Sequence, residues 1–338
     1  MDENRRREAL GDANVWDLPM IRLAHAGRIM PPQSGCELID SSITPSGEVV
    51  ALWVQSAADA AALTSRTDDP GWASFPDART AKPINAVVTV QGFDRTTDIR
   101  IDSLPVAHPF VQVLPGGRAL LVGARCHWKP EGAERNALVY DAGGTLLLEA
   151  TLGDGIERIH TTSAGDVWVE YFDEGMYGNY GWGLPGPEPI GAPGTVRFSS
   201  SLDQLTISAT EGTPDGMCRV VGVDGDILWS SMYRTKAIVR FQNDSVQKWR
   251  NHVADIRALA IRGEDTWLVC GQFGHRGRLV RGRLTQDHLE IIDVAQIGLP
   301  DGTRIPAQAE THGSGGRLHV ILDGDWYYID VDAELQAG

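Results

Sequence analysis

Residues Leu152–Trp182 read LGDGIERIHTTSAGDVWVEYFDEGMYGNYGW. After a Gly-Asp-Gly turn, the segment alternates in hydrophobicity from Ile156 to Thr162. It turns at Ser163-Ala164-Gly165-Asp166 and alternates again to Phe172. A period of two on both sides of a short glycine-containing turn predicts two antiparallel strands. Beyond Phe172 the alternation ends. Asp173, Glu174, Tyr177, Tyr180 and Trp182 are interleaved with glycines, a composition that suits a ligand-facing loop.

The same text recurs along the chain. LIDSSITPSGEVVALWV, FVQVLPGGRALLVGARC, CRVVGVDGDILWSSMY, IRALAIRGEDTWLVCG and AETHGSGGRLHVILDGD repeat the strand, turn, strand pattern, and each is followed by a third strand and a polar turn. A fourth short strand fits after most of them, as at 98–104, 145–150 and 289–294. Six in-phase units of four antiparallel strands predict an all-β, six-bladed β-propeller filling residues 1–338 as one domain. The last unit lacks a fourth strand, while residues 15–23 (VWDLPMIRL) lack a sheet. They are therefore expected to close the ring after a polar leader at 1–13, with Pro19 tolerated on an outer strand. The rival reading is a mobile N-terminal arm. One short helical stretch, AADAAALT from Ala57, lies inside an insertion.

Composition narrows the partners. The chain has 338 residues, 45 Asp plus Glu against 30 Lys plus Arg, and a net charge of −15. Such a surface repels phosphate backbones and anionic lipid, so neither nucleic acid nor membrane is an expected partner. A charged N-terminus without an apolar centre points to the cytoplasm. Cys36, Cys126, Cys218 and Cys270 are too widely spaced for a zinc knuckle or a redox motif and read as reduced core thiols. No Walker, dinucleotide, zincin or nucleophile-elbow motif is present.

The interval between second and third strands is long in the first three repeats, with insertions near 57–83, 126–135 and 173–193. These fall on one face and carry Trp72, Phe75, His127, Trp128, Tyr177, Tyr180 and Trp182. The same aromatics could serve only to order long loops. The residues preceding each innermost strand ring the same face: Cys36-Glu37, His108, Asp154 with Glu157, Asp215, Asn251 with Asp255, and Glu310. Five of the six sites carry a carboxylate, which fits a small-molecule ligand bearing an amine or a divalent cation held by oxygens. Turn-capping acids in an acidic protein are the plain alternative.

Antiparallel pairing returns the end of a second strand to the level at which the first begins. Asp154, Glu157, Asp173 and Glu174 are thus expected to cluster as candidate acid or base residues, beneath an aromatic lid from Tyr177 to Trp182 hinged at its glycines. Arg125 is the nearest neutralising partner, and a purely structural ion pair is the rival to a catalytic cluster.

GDGIERIHTTSAGDVWVEYFDEGMYGNYGWG with PIGAPGTVRFSSS, FVQVLPGGRALLVGARC and WRNHVADIRALAIRGEDTWLVCG resemble a group of bacterial proteins, common in actinobacteria, described as propeller-like or WD40-like. The similarity spans at least residues 110–283. It implies the propeller and brings no catalytic residue with it. Arg219, Arg234 and Lys236 stand where that group carries polar or aromatic residues, which implies a changed pocket. Six-bladed propellers in general suggest lactone or ester hydrolysis, or a condensation or cyclisation, with an acid at the mouth as proton donor or acceptor. A rival of another class is an immunity or adaptor propeller whose acidic face receives a basic protein.

Overall fold

A computed structural model describes residues 18–68, 74–205, 218–232, 235–243, 245–270, 277–306 and 308–331. The polar leader, the first residues of the expected closing strand, Trp72, Asp215 and Arg234 lie outside the described residues.

The chain divides into two compact units, one drawn from 30–44 and 48–212, the other from 1–29, 45–47 and 213–338. Both are built from four-stranded antiparallel sets. Each is a separate sheet in the first unit, whereas in the second two of them join through the parallel bridge Val223–Ser314 into one eight-stranded sheet and the third carries a fifth, parallel strand. In the first unit these are Glu37–Ile43, Val49–Val54, Arg79–Gln91 and Thr96–Val106; then Pro109–Leu114, Arg118–Gly123, Ala137–Tyr140 and Leu146–Ala150; then Ile156–Thr161, Val167–Tyr171, Thr195–Phe198 and Gln204–Leu205. Gly117 (φ 70°) and Gly165 (φ 95°) lie in the turns between first and second strands, where a left-handed backbone favours glycine.

Second strands are buried on both faces. Val49–Val54, for instance, has no exposed residue, so its text VVALWV is a continuous apolar run. Leu120, Leu121 and Val122 are fully buried, each contributing about 1.5–3 kcal/mol of transfer free energy. First strands of successive sheets are tied by side chains. Asp40 accepts from the Val111 backbone N–H at 2.7 Å, and the Ser42 hydroxyl donates to the Val111 carbonyl at 2.8 Å. Gln112 donates to the Ile159 carbonyl at 3.2 Å and accepts from Thr161 at 3.1 Å. These bonds keep three buried polar groups satisfied while setting the sheets side by side.

The second unit holds three further four-stranded sets. Cys218–Asp224, Ile227–Met232, Ala237–Gln242 and Ser245–Arg250 form one, with Gly225 (φ 57°) in its first turn. Ile256–Arg262, Asp265–Cys270, Arg278–Leu284 and Leu289–Gly298 form the next. Glu310–Ser314, Arg317–Leu322 and Asp325–Asp330 form the last and take their fourth strand from Ala24–Arg28, antiparallel to Asp325–Asp330.

This corrects the expected closing strand at 15–23. Met20–Arg22 instead lies parallel to Gln296–Gly298 as a fifth strand on the preceding sheet. Pro19 sits just outside it, and its carbonyl accepts from the Gln296 N–H at 2.9 Å. A proline without a donor is tolerated there because only its carbonyl is needed.

The insertions of the first unit are not bare loops. Ala57–Leu63 is a helix, α1, whose Ser56 N-cap accepts from the Asp59 N–H and whose Leu63 is buried. Arg66–Asp68 pairs with Ser74–Pro76, and Trp128–Lys129 with Gly132–Ala133. Asp173–Tyr177, expected as loop, is a single helical turn, α2, with both acids in its first turn, where the helix dipole favours them. Among the described residues no helix is long and apolar enough to cross a membrane.

Candidate functional site

Arg125 follows the second strand of its sheet, and the Ala124 carbonyl accepts from the Ile156 N–H at 3.0 Å, bringing that strand end to the start of the next sheet. Asp154 lies in the turn before Ile156. Arg125 Nε and Nη2 each approach an Asp154 carboxylate oxygen at 3.0 Å, and the Cys126 N–H donates to Asp154 at 2.9 Å. Arg125 Nη1 meets Glu174 Oε2 at 2.6 Å. Arg125 and Asp154 are both 3% exposed. The guanidinium lies under the Tyr180 ring, 4.2 Å from its centroid, and 5.4 Å from that of Phe172.

Burial pushes the Asp154 carboxyl above the usual carboxylate range, against the opposing pull of Arg125 and two backbone N–H groups. Partial burial works the same way on Glu174, but hydrogen bonds from Asn179 and Arg125 outweigh it and hold that carboxyl below its ordinary value.

Only two of the four predicted acids therefore converge. Glu157 is exposed on its strand, beside a register shift that follows Ile156. Asp173 is exposed and accepts from the Glu174 N–H at 2.9 Å, so it serves the first turn of α2. The expected four-acid cluster is an arginine-centred ion pair and a half. Period-two reasoning brought the right chain segments together but could not say which side chains point inward.

The three insertions meet around this pair. The Tyr180 hydroxyl donates to the Pro76 carbonyl at 2.5 Å, the Trp128 N–H to the Tyr180 carbonyl at 2.9 Å, and the Trp182 indole to the Cys126 carbonyl at 2.8 Å. Phe75 and His127 pack edge-on against Tyr180, with centroids 6.5 and 4.5 Å away. Tyr177, expected in the lid, is 79% exposed. The glycines expected as hinges sit where backbones nearly touch. A Cβ on Gly178 would fall 2.8 Å from the Gly183 Cα, and one on Gly175 2.7 Å from the Gly155 carbonyl oxygen. The segment is clamped rather than hinged.

Other predicted residues have local roles. The His108 ring lies 2.8 Å from the Ser65 carbonyl, and the His108 N–H donates to the Leu63 carbonyl at 2.7 Å, tying α1 to the next sheet. Glu37 is exposed at the start of its strand. In the second unit, Asn251 is buried and closes its own loop through both Val253 backbone groups, at 2.9 and 2.8 Å. There too, exposed Glu310 lies 3.7 Å from His312 Nε2. Among the described residues no group of three or more His, Cys, Asp or Glu side chains is arranged to hold a metal ion. The cation that Asp154 and Glu174 face is Arg125.

Sequence reasoning passed over Glu134. It lies across the Trp128–Ala133 hairpin from His127, accepts from the His127 N–H at 3.0 Å and sits 3.1 Å from its Nδ1. The signal was a carboxylate seven positions after a histidine, with a glycine turn between them.

No family model matches the chain, and no curated protein matches it. Solved structures with a similar course of chain are propeller proteins of varied role. A catalytically inactive virginiamycin B lyase from Staphylococcus aureus, crystallised with quinupristin, is 14% identical, with a TM-score of 0.42 over 91% of this chain and 97% of that one. YCF48 from Cyanidioschyzon merolae is 12% identical, with a TM-score of 0.43 over 90% and 98%. The β-propeller domain of Cps50 from Myceliophteria thermophila is 10% identical, with a TM-score of 0.42 over 89% and 99%. A likeness of that degree says nothing of what this chain binds or does. The chain is an all-β protein of repeated four-stranded antiparallel sets.

Proposed function

We propose that this chain is a six-bladed β-propeller, closed by residues 24–28, that binds a small molecule on the face its first three insertions build. The observation that supports this is the Tyr180 junction. Three insertions of different sequence are fixed to one another by Tyr180, Trp182 and the buried Arg125, so their rim is held in place before any ligand arrives. Preorganisation of that kind lowers the ordering cost of binding. Arg125 and Asp154 are read as holding the face together rather than reacting, since both are buried and Asp154 is held by Arg125 and the Cys126 N–H while Arg125 also holds Glu174.

Acids at the rim, with a net charge of −15 overall, favour a neutral or amine-bearing ligand over an anion in a cytoplasmic setting, and disfavour nucleic acid and membrane. A divalent cation is no part of this reading. A second reading, docking of a basic protein, draws on Tyr177 and on Leu184, which stands fully in solvent in the same insertion.

The test is a thermal-shift screen of amines, esters, lactones and divalent salts. A ligand at 100 times its Kd adds about 2.7 kcal/mol of stability. A hit that Tyr177→Ala weakens supports the insertion face. Absence of any small-molecule hit, together with capture of a basic protein sensitive to the same substitution, would replace the first reading with the second.

A further inference from the structure

We propose that His127 is a catalytic general base at the insertion face and that Glu134 is its positioning residue, for hydrolysis of a neutral or amine-bearing carboxylic ester or lactone. This rests on the reading of that face as the ligand face.

The geometry is that of an oriented imidazole. Glu134 Oε2 accepts from the His127 backbone N–H at 3.0 Å and lies 3.1 Å from Nδ1. Lys129 Nζ holds the other oxygen at 3.3 Å. Burial works to raise the Glu134 carboxyl, but hydrogen bonds from His127 and Lys129 outweigh it and keep it below its ordinary value, so Glu134 is ionised at neutral pH. A carboxylate can only accept, so Nδ1 carries the proton. The lone pair of neutral His127 is then on Nε2.

No described residue hydrogen-bonds to Nε2, and the side chain is 38% exposed, so solvent reaches it. The ring cannot swing freely, because its neighbour Tyr180 packs edge-on at 4.5 Å and is itself pinned to Pro76. A carboxylate that fixes tautomer and orientation, with the second nitrogen open to solvent, is the arrangement a water-activating base requires.

The reaction balances without a cofactor. Water loses a proton to His127 Nε2, and its oxygen bonds to the ester carbonyl carbon. The C–O bond to the alcohol breaks, and the imidazolium returns the proton to the departing alkoxide. The net charge of −15 disfavours phosphate esters and other anions, which leaves neutral and cationic carbonyl esters.

The test uses p-nitrophenyl acetate, an activated neutral ester, with the full chain. His127→Gln is expected to lose at least about tenfold in hydrolysis, below the usual worth of a general base because the probe is not the native substrate. Above the rate that each additive gives with the ester alone and with the wild type, free imidazole restores hydrolysis to His127→Gly, and formate restores it to Glu134→Ala, which a merely structural role would not allow. Equal rates for wild type and His127→Gln, or losses that neither additive restores, would overturn the proposal. Should the substitutions unfold the chain, carbethoxylation of the wild type decides. Modification of His127 must abolish hydrolysis, and a fully modified His127 with hydrolysis intact ends the idea. A thermal-shift screen without hits beside imidazole-dependent hydrolysis would count against the ligand-face reading alone.

Discussion

The Tyr180 hydroxyl donates to the Pro76 carbonyl at 2.5 Å, joining residues 104 positions apart in sequence. Tyr180 holds a positive φ of 50°, rare for a bulky residue, and its ring covers Arg125. Three of the contacts that sustain the strain are a guanidinium below, a carbonyl at its tip and His127 at its edge. Tyr180→Phe keeps the first and third and removes the second, leaving the Pro76 carbonyl without this donor. A loss of about 1–2 kcal/mol in chemical denaturation is expected. A change within error would show that the insertions are held by other contacts.

Arg125 predicts a larger effect. Removing one partner of a buried ion pair leaves the other charged and unpaired, a loss of about 3–5 kcal/mol. Arg125→Ala should reach that range, whereas the triple variant Arg125→Met, Asp154→Leu and Glu174→Gln, which leaves neither carboxylate charge of the site behind, should recover much of it. Non-recovery would mean that the pair holds position rather than charge.

Glu174 sets an acid-side dependence. Its folded carboxyl lies below the ordinary 4.5, so the folded state binds fewer protons than the unfolded one near that pH. Its contribution is full above 4.5 and is lost as the pH falls through the folded value. Asp154 has the opposite sign, because its folded carboxyl is raised. Glu174→Gln should therefore flatten the fall in melting temperature below pH 4.5, and an unaltered profile would remove Glu174 from the account.

The N-terminal segment supplies two strands to two successive sheets, Met20–Arg22 on Leu289–Gly298 and Ala24–Arg28 on Asp325–Asp330. Deleting residues 1–28 exposes both edges, removes Leu23, which is 2% exposed, and uncovers the core residues packed against it, such as Ile297 and Ile305. The melting temperature should drop by many degrees. A tail with no structural role would leave it unchanged.

How much of this was legible follows from which interactions are local. Repeats such as VVALWV and ALLVG announce sheets because short apolar runs and turn glycines act over a few residues, and the lengths of the insertions marked the face they share. Residues 24–28 were missed as a strand because AHAGR has no apolar alternation; its strand state comes from pairing with Asp325–Asp330, 297 positions or more away. Glu157 and Asp173 were grouped with Asp154 and Glu174 by spacing alone. The register shift beyond Ile156 and the short helix α2 turn them outward, and neither is written in a period of two. Arg125 was found as a neutralising partner because strand ends and strand starts must meet, whatever the side chains do.

His319 offers the sharpest pH test in the second unit. It is fully buried, its Nδ1 accepts from the Trp326 indole at 3.1 Å, and the two rings stack at 6.0 Å. Burial, with the charges of His312 and Arg317, lowers its pKa from 6.5 to about 3. The folded state thus keeps this imidazole neutral while the unfolded chain protonates it below 6.5. Stability rises with pH wherever the unfolded state binds more protons, so His319 contributes nothing to the slope above 6.5 and removes stability progressively as the pH falls from 6.5 to about 3. The full slope for one group is about 1.4 kcal/mol per pH unit. His319→Gln retains an acceptor for Trp326 and has no proton to take up. Urea denaturation at pH 7 and pH 4.5, followed by tryptophan fluorescence, should show the wild type losing about 2.5 kcal/mol more than the variant over that interval, after the small unfolded-state correction near 6.5. Equal losses in the two proteins would mean that the folded His319 accepts a proton after all, and that the Trp326 bond does not fix its tautomer.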